Sequence, residues 1–157
     1  MQKNVTLSDY EIERRKPMPS KLHSRIQLKL AFQLENNYAN QYSFFSELSL
    51  SLNGWDSVPD LAIYPKMDID YDEDELELTT PPLGVIEILS PTQSFNELKS
   101  KAGRYFASGV KSCWLVIPVV KNIYVFSNSS AYEIYKDKET LADKSLNIAI
   151  PLAEVFQ

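Results

Sequence analysis

Apolar residues recur along this chain in two alternating rhythms, one with a period of four and one with a period of two. Leu22, Ile26, Leu30 and Leu34 fall four residues apart and mark one face of a helix that runs to about Asn36. Ser20, after Met18-Pro19, is placed to cap it, and His23 lies on the flank of that face. Residues 43–52, SFFSELSLSL, then alternate with period two, which predicts a strand. Asn53-Gly54 is a hairpin signal, and the return strand runs from Val58 to Tyr64, ended by Pro65.

Beyond an acidic segment, Leu83–Leu89 reads LGVIEIL, an apolar run broken only by Glu87. Ser90-Pro91-Thr92 ends this strand and can start a helix whose apolar face is Leu98, Ala102, Tyr105 and Phe106, up to Gly109. Strands follow at Cys113–Ile117, Asn122–Phe126 and, as an edge, Tyr132–Tyr135. The tail 148–157 is expected to dock a strand end and a short helix. The strand–helix–strand unit at 83–117 implies a parallel pair inside a mixed sheet with helices on its faces, an α/β (α+β) fold.

The chain has 157 residues and 44% hydrophobic content, which suits one domain spanning 1–157. No apolar run approaches the roughly 20 residues needed to cross a bilayer. The opening MQKNVTLSDYEIERRK lacks the apolar stretch of a secretory leader. A single cysteine, Cys113, sits in the apolar stretch SCWLVI and reads as a core thiol. These features point to the cytoplasm and to no membrane partner.

The net charge of -5 argues at first against a nucleic-acid partner. The acid is concentrated, however. Residues 68–77, DIDYDEDELE, carry seven carboxylates and no Lys or Arg; removing them leaves 16 basic against 14 acidic residues. The segment is expected to be a solvated loop or flap.

Two acids stand out. Glu87 interrupts a strand that reads as buried on both faces, where an ionised carboxylate costs several kcal/mol unless it is paired or holds a metal. The alternative is a glutamate near the strand's end that faces solvent or pairs with a lysine. Asp60 heads the other apolar strand after Pro59, where it could equally be a turn former. Carboxylates at the head of one strand and inside its neighbour can converge on one divalent ion, and Mg²⁺ favours one or two carboxylates plus waters and phosphate. There is no Gly-rich phosphate loop and no Cys/His cluster, and with one histidine a Ser-His-Asp order has no second histidine to draw on.

The order Pro59-Asp60 then Glu87-Ile88-Leu89 resembles the PD-(D/E)XK nuclease pattern, and most closely its Uma-type restriction-endonuclease branch. That branch's motifs are matched by Ser20-Lys21-Leu22-His23, Pro59-Asp60, Glu87-Ile88-Leu89-Ser90-Pro91-Thr92, Lys101 to Tyr105, Gly109-Val110 and Trp114-Leu115-Val116-Ile117-Pro118. The likeness covers about residues 10–126. It implies a restriction-endonuclease-like mixed sheet flanked by helices, cleavage of DNA with Mg²⁺ or Mn²⁺, and a homodimer. Asp60 and Glu87 would be metal ligands and catalytic residues. Two departures stand out: Leu89 occupies the place of the superfamily's lysine, and Ile117 that of an aspartate often found before the last proline. The first transfers the lysine's role to the following helix. Lys99 and Lys101 are both available there, and the family's spacing selects Lys101, four before Tyr105. Glu47, Glu11, His23 and Tyr105 are further candidates; for each a structural role is the competing reading. A non-catalytic nucleic-acid-binding or regulatory protein with the same fold is the alternative function.

Overall fold

The computed structural model describes residues 6–157. Residues 1–5, which open the polar stretch read against a leader, lie outside the described residues. A six-stranded mixed sheet forms the centre, in the order β1-β4-β5-β6-β7-β8. Its strands are β1 (Tyr42–Ser46), β4 (Leu61–Pro65), β5 (Gly84–Ile88), β6 (Ser112–Ile117), β7 (Asn122–Phe126) and β8 (Tyr132–Lys136). Only β5 and β6 pair in parallel, joined over one face by helix α3 (Phe95–Ala107). The other pairs are antiparallel.

Helix α2 (Lys21–Tyr38) covers the opposite face, with the Ser20 side chain accepting from the His23 amide as its cap. Its buried residues are His23, Ile26, Leu30 and Leu34. Leu22 is half exposed, so the buried face begins at His23, which is not a flanking residue. Ile26, Leu30 and Leu34 pack on Leu61, Ile63, Ile86, Ile88, Trp114 and Val116. Each such side chain contributes about 1.5–3 kcal/mol on burial. On the other face, Leu98, Ala102 and Tyr105 of α3 pack on Ala62, Tyr64, Val85, Cys113 and Leu115. Period-two alternation in β5 therefore sends Ile86 and Ile88 towards α2 and Val85 and Glu87 towards α3.

Three elements differ from the sequence expectation. The stretch 43–52 is not one strand: it breaks after β1 at Glu47, whose φ is 51°. Its second half, β2 (Leu50–Leu52), forms a separate hairpin with β3 (Trp55–Ser57). Asn53 (φ 51°) and Gly54 (φ 81°) make the tight turn, both in the left-handed region that a two-residue hairpin requires. The return strand is split likewise into β3 and β4, and Pro65 belongs to β4. Helix α3 starts at Phe95 with Ser94 as its cap, not at Ser90-Pro91-Thr92.

Two elements are additional, α1 and β9. The short helix α1 (Asp9–Arg14) is closed by a Ser8–Glu11 capping box. Strand β9 (Thr140–Asp143) forms a hairpin with β10 (Ile148–Pro151), which with the 3-10 turn at Leu152–Glu154 is the strand end and short helix expected in the tail. Buried Asp143 pins it to β6, accepting from Ser112 Oγ at 2.5 Å and Trp114 Nε1 at 2.7 Å. Leu146 beside it packs over Gly84, where a Cβ would lie 2.9 Å from Leu146 Cδ1. No helix among the described residues is long and apolar enough to cross a membrane.

Candidate active site

Asp60 and Glu87 meet at the end of the sheet where β4 begins and β5 finishes. The β4–β5 register ends at Leu61 and Ile86, and Asp60, just before β4, reaches the end of β5 by accepting from the Ile88 amide. Both side chains are buried, at 1% and 3% exposure. Such burial of two acids demands partners, and each acid has a set of its own.

Asp60 is held from three directions. Oδ1 receives the Lys16 ammonium at 2.6 Å, and Oδ2 receives His23 Nε2 at 3.0 Å and the Ile88 amide at 2.7 Å. Burial by itself would raise its pKa; the His23 hydrogen bond and the Lys16 charge outweigh burial and hold the carboxyl below its usual value. Lys16 gains in return. Burial disfavours its charge, but Asp60 and then Glu87 overcome that, and its pKa stands above the ordinary lysine value. His23 donates through Nε2, and its Nδ1 is buried without a partner.

Glu87 is held from α3. Lys101 Nζ lies 2.8 Å from Oε1, and the Tyr105 hydroxyl donates to the same oxygen at 3.0 Å. Oε2 accepts no hydrogen bond among the described residues. Burial dominates and raises the pKa of Glu87; Lys101 opposes the shift and Asp60 adds to it. The Tyr105 hydroxyl also bonds Ser57 Oγ, and burial with the neighbouring Glu87 charge pushes it well above the usual tyrosine value.

Of the other sequence candidates, Glu47 belongs to this cluster. Its Oε1 lies 3.5 Å from Lys16 Nζ and accepts from Tyr10 Oη at 2.7 Å. Glu11 does not reach the acids and serves as the capping partner of Ser8. Lys99 is exposed and makes no ion pair among the described residues. Lys16 was not anticipated. The sequence ERRKPMPS shows it only as one of three consecutive cations, and nothing in the spacing singles it out.

A cleft of about 1080 Å³ opens beside the acids, with a mixed lining of the cations Arg14, Arg15, Lys16, Lys101 and Arg104 and the acids Glu13, Asp56, Glu77 and Glu97. The Arg104 guanidinium sits 4.5 Å from the Trp55 ring centre, and Trp55 packs edge-on against Tyr105 at 4.8 Å. Neither carboxylate forms part of the cleft wall; their two lysine partners do.

The donor set can be weighed against a metal. Among the described residues no group of three or more His, Cys, Asp or Glu could hold an ion. Two hard carboxylates remain, one with an oxygen free of hydrogen bonds. That fits Mg²⁺ or Mn²⁺, for which water and substrate phosphate complete the coordination, and does not fit a structural zinc site.

Comparison with known proteins agrees with this architecture. No curated protein matches the chain. A solved structure from Anabaena variabilis ATCC 29413, described as "a putative nuclease belonging to DUF820", superposes with a TM-score of 0.78 at 21% identity, over 90% of this chain and 83% of that one. This likeness shows the fold. The family model Uma2, "Putative restriction endonuclease", matches residues 2–154. With nearly its whole length matched, the chain belongs to the Uma2 family.

Proposed function

We propose that the protein is a divalent-metal-dependent endonuclease that hydrolyses DNA phosphodiester bonds, with Asp60 and Glu87 holding Mg²⁺ or Mn²⁺. The observation that carries this reading is the burial of two carboxylates at one sheet end, beside a cleft into which their lysine partners Lys16 and Lys101 reach. Burying such a pair costs stability, and a structural site of this size is served as well by apolar residues. A bound divalent ion supplies polarisation of the phosphate and a more acidic attacking water.

The chain's own groups do the rest. Lys101, about a quarter exposed, stands between Glu87 and the cleft and offers its charge to a phosphate there. Tyr105 fixes the rotamer of Glu87, and His23 with the Ile88 amide fixes that of Asp60. Cutting both strands of a duplex needs two such sites, which a two-fold homodimer supplies; light scattering at tens of micromolar checks this, and a monomer counts against it.

The test is relaxation of supercoiled plasmid with Mg²⁺, with Mn²⁺ and with EDTA, for the native chain, Asp60→Asn and Glu87→Gln. Metal-dependent nicking lost in both variants supports the reading. Nicking that survives both substitutions defeats it. The saturation of Asp60 by protein donors favours a second reading, a DNA-binding protein without turnover. Binding of plasmid without nicking under any metal would select it.

A further inference from the structure

The segment from Ser8 to Lys16 meets the acids through polar contacts. No residue of α1 is buried. Tyr10 donates to Glu47 Oε1, and Arg14 donates to the Glu47 carbonyl and, at 3.4 Å, to Ser49 Oγ. Lys16 alone goes deep. Its side chain is 9% exposed, and its ammonium meets Asp60 Oδ1 at 2.6 Å, the Val58 carbonyl at 3.2 Å and Glu47 Oε1 at 3.5 Å. An ammonium has three protons, and three oxygens surround this one.

We propose that Lys16 is the resident cation of the acid cluster in the metal-free protein, that it and a divalent ion exclude one another at Asp60, and that metal loading unlatches residues 8–16. The inference rests on the metal-dependent reading above and adds a residue that controls it. Asp60 Oδ2 already accepts from His23 and the Ile88 amide, so an ion bound by Asp60 must use Oδ1, where Lys16 sits. Two cations on one buried oxygen repel strongly, because little water lies between them. Glu47 and Glu87 draw a divalent charge more strongly than a single one, so the ion displaces the ammonium. The backbone beyond Lys16 is stiffened by Pro17 and Pro19, and Arg15 before it is held at φ 54°. Withdrawal of the side chain therefore carries the segment with it, and the polar contacts of α1 offer little resistance. Arg14, Arg15 and Lys16 line the cleft, so unlatching also rearranges its wall.

The experiment is limited trypsin digestion of the whole chain with and without Mn²⁺, with cuts after Arg14 and Arg15 mapped by mass spectrometry and Mn²⁺ affinity measured by calorimetry. Mn²⁺ is expected to speed these two cuts several-fold in the native chain and to leave them unchanged in Asp60→Asn. Lys16→Met is expected to be cut quickly without metal and to bind Mn²⁺ at least about tenfold more tightly. Mn²⁺ binding to the native chain with no change at Arg14 and Arg15 overturns the proposal and leaves the metal reading intact. Binding by Lys16→Met alone overturns the unlatching, because the ion then does not displace Lys16 from the native chain. Absence of binding in both chains overturns the metal reading and this proposal together. If Lys16→Met fails to fold, native-chain calorimetry and digestion still decide the unlatching: Mn²⁺ bound with faster cuts supports it, and Mn²⁺ unbound or cuts unchanged overturns it.

Discussion

Lys101 and Tyr105, one helical turn apart on α3, donate to the same atom, Glu87 Oε1, at 2.8 and 3.0 Å. Side chains four apart on a helix stand one above the other, so this pair grips one oxygen and leaves the other without a hydrogen bond among the described residues. That second oxygen is the one available to a metal, and the gripping lysine is the one facing the cleft.

Lys101→Ala is therefore expected to lower metal-dependent nicking by about 10²-fold or more, and to lower the thermal midpoint because buried Glu87 loses its cation. Lys99→Ala should cut at the native rate, since that side chain is exposed and unpaired among the described residues. Native activity in Lys101→Ala would remove the lysine from the mechanism, and loss only in Lys99→Ala would transfer the role.

Glu87→Gln should be inactive yet more stable than the native chain at neutral pH, by ~1 kcal/mol in urea titrations. Burial raises the folded pKa of Glu87 above its unfolded value. Such a group contributes stability below the unfolded pKa, about 4.3, and loses it as pH rises through the folded value. The advantage of Gln must therefore be small near pH 4 and grow towards neutrality. A constant difference across that range would show that Glu87 carries no burial penalty.

Asp60 has the opposite sign. Its folded pKa is lowered, so its contribution is present above the unfolded value, about 3.9, and is lost as pH falls through the folded one. Asp60→Ala is expected to cost about 3 kcal/mol at neutral pH, because Lys16 and His23 are left buried without their partner. Adding Lys16→Met should recover part of that cost, and strictly additive losses in the double-mutant cycle would contradict the coupling.

The acidic segment 68–77 is exposed along its length, and its last residue, Glu77, lines the cleft. Leu78 next to it bonds Ser49 and Ser51, which anchors the loop beside β2. Replacing its carboxylates with Asn and Gln should tighten DNA binding at low salt and lose that effect at high salt. Equal affinity at low salt would place the loop away from the path of the DNA.

Much of this was legible in the chain. The lone acid in LGVIEIL and another after Val58-Pro59 marked the two strands that meet, and the resemblance, with its lysine four before a tyrosine, selected Lys101 over Lys99. The hairpin β2–β3 was half legible. Asn53-Gly54 gave the turn, but Glu47 adopts a left-handed backbone that no local signal announces, so one alternating run became two strands. His23 was misplaced by one position because Leu22 is the more apolar residue, whereas the buried face belongs to the side chain that Asp60 binds. Lys16 was invisible because its partner lies 44 residues away and only the folded chain brings them together. Glu11 read as a possible site acid and is satisfied locally, by a contact three residues back.

The Ile88 amide points out of β5 towards the head of β4, opposite the stretch where Pro59 precedes the paired residues. Asp60 answers it with a side chain, while its own carbonyl is taken up by Glu47 and Gln27. One carboxylate thus serves as the last rung of a sheet as well as the seat of a charge. Whatever draws that carboxylate aside, an ion, a proton or a substitution, also frays the ladder at its end. The chemistry of the site and the pairing of its two strands are in this respect one equilibrium.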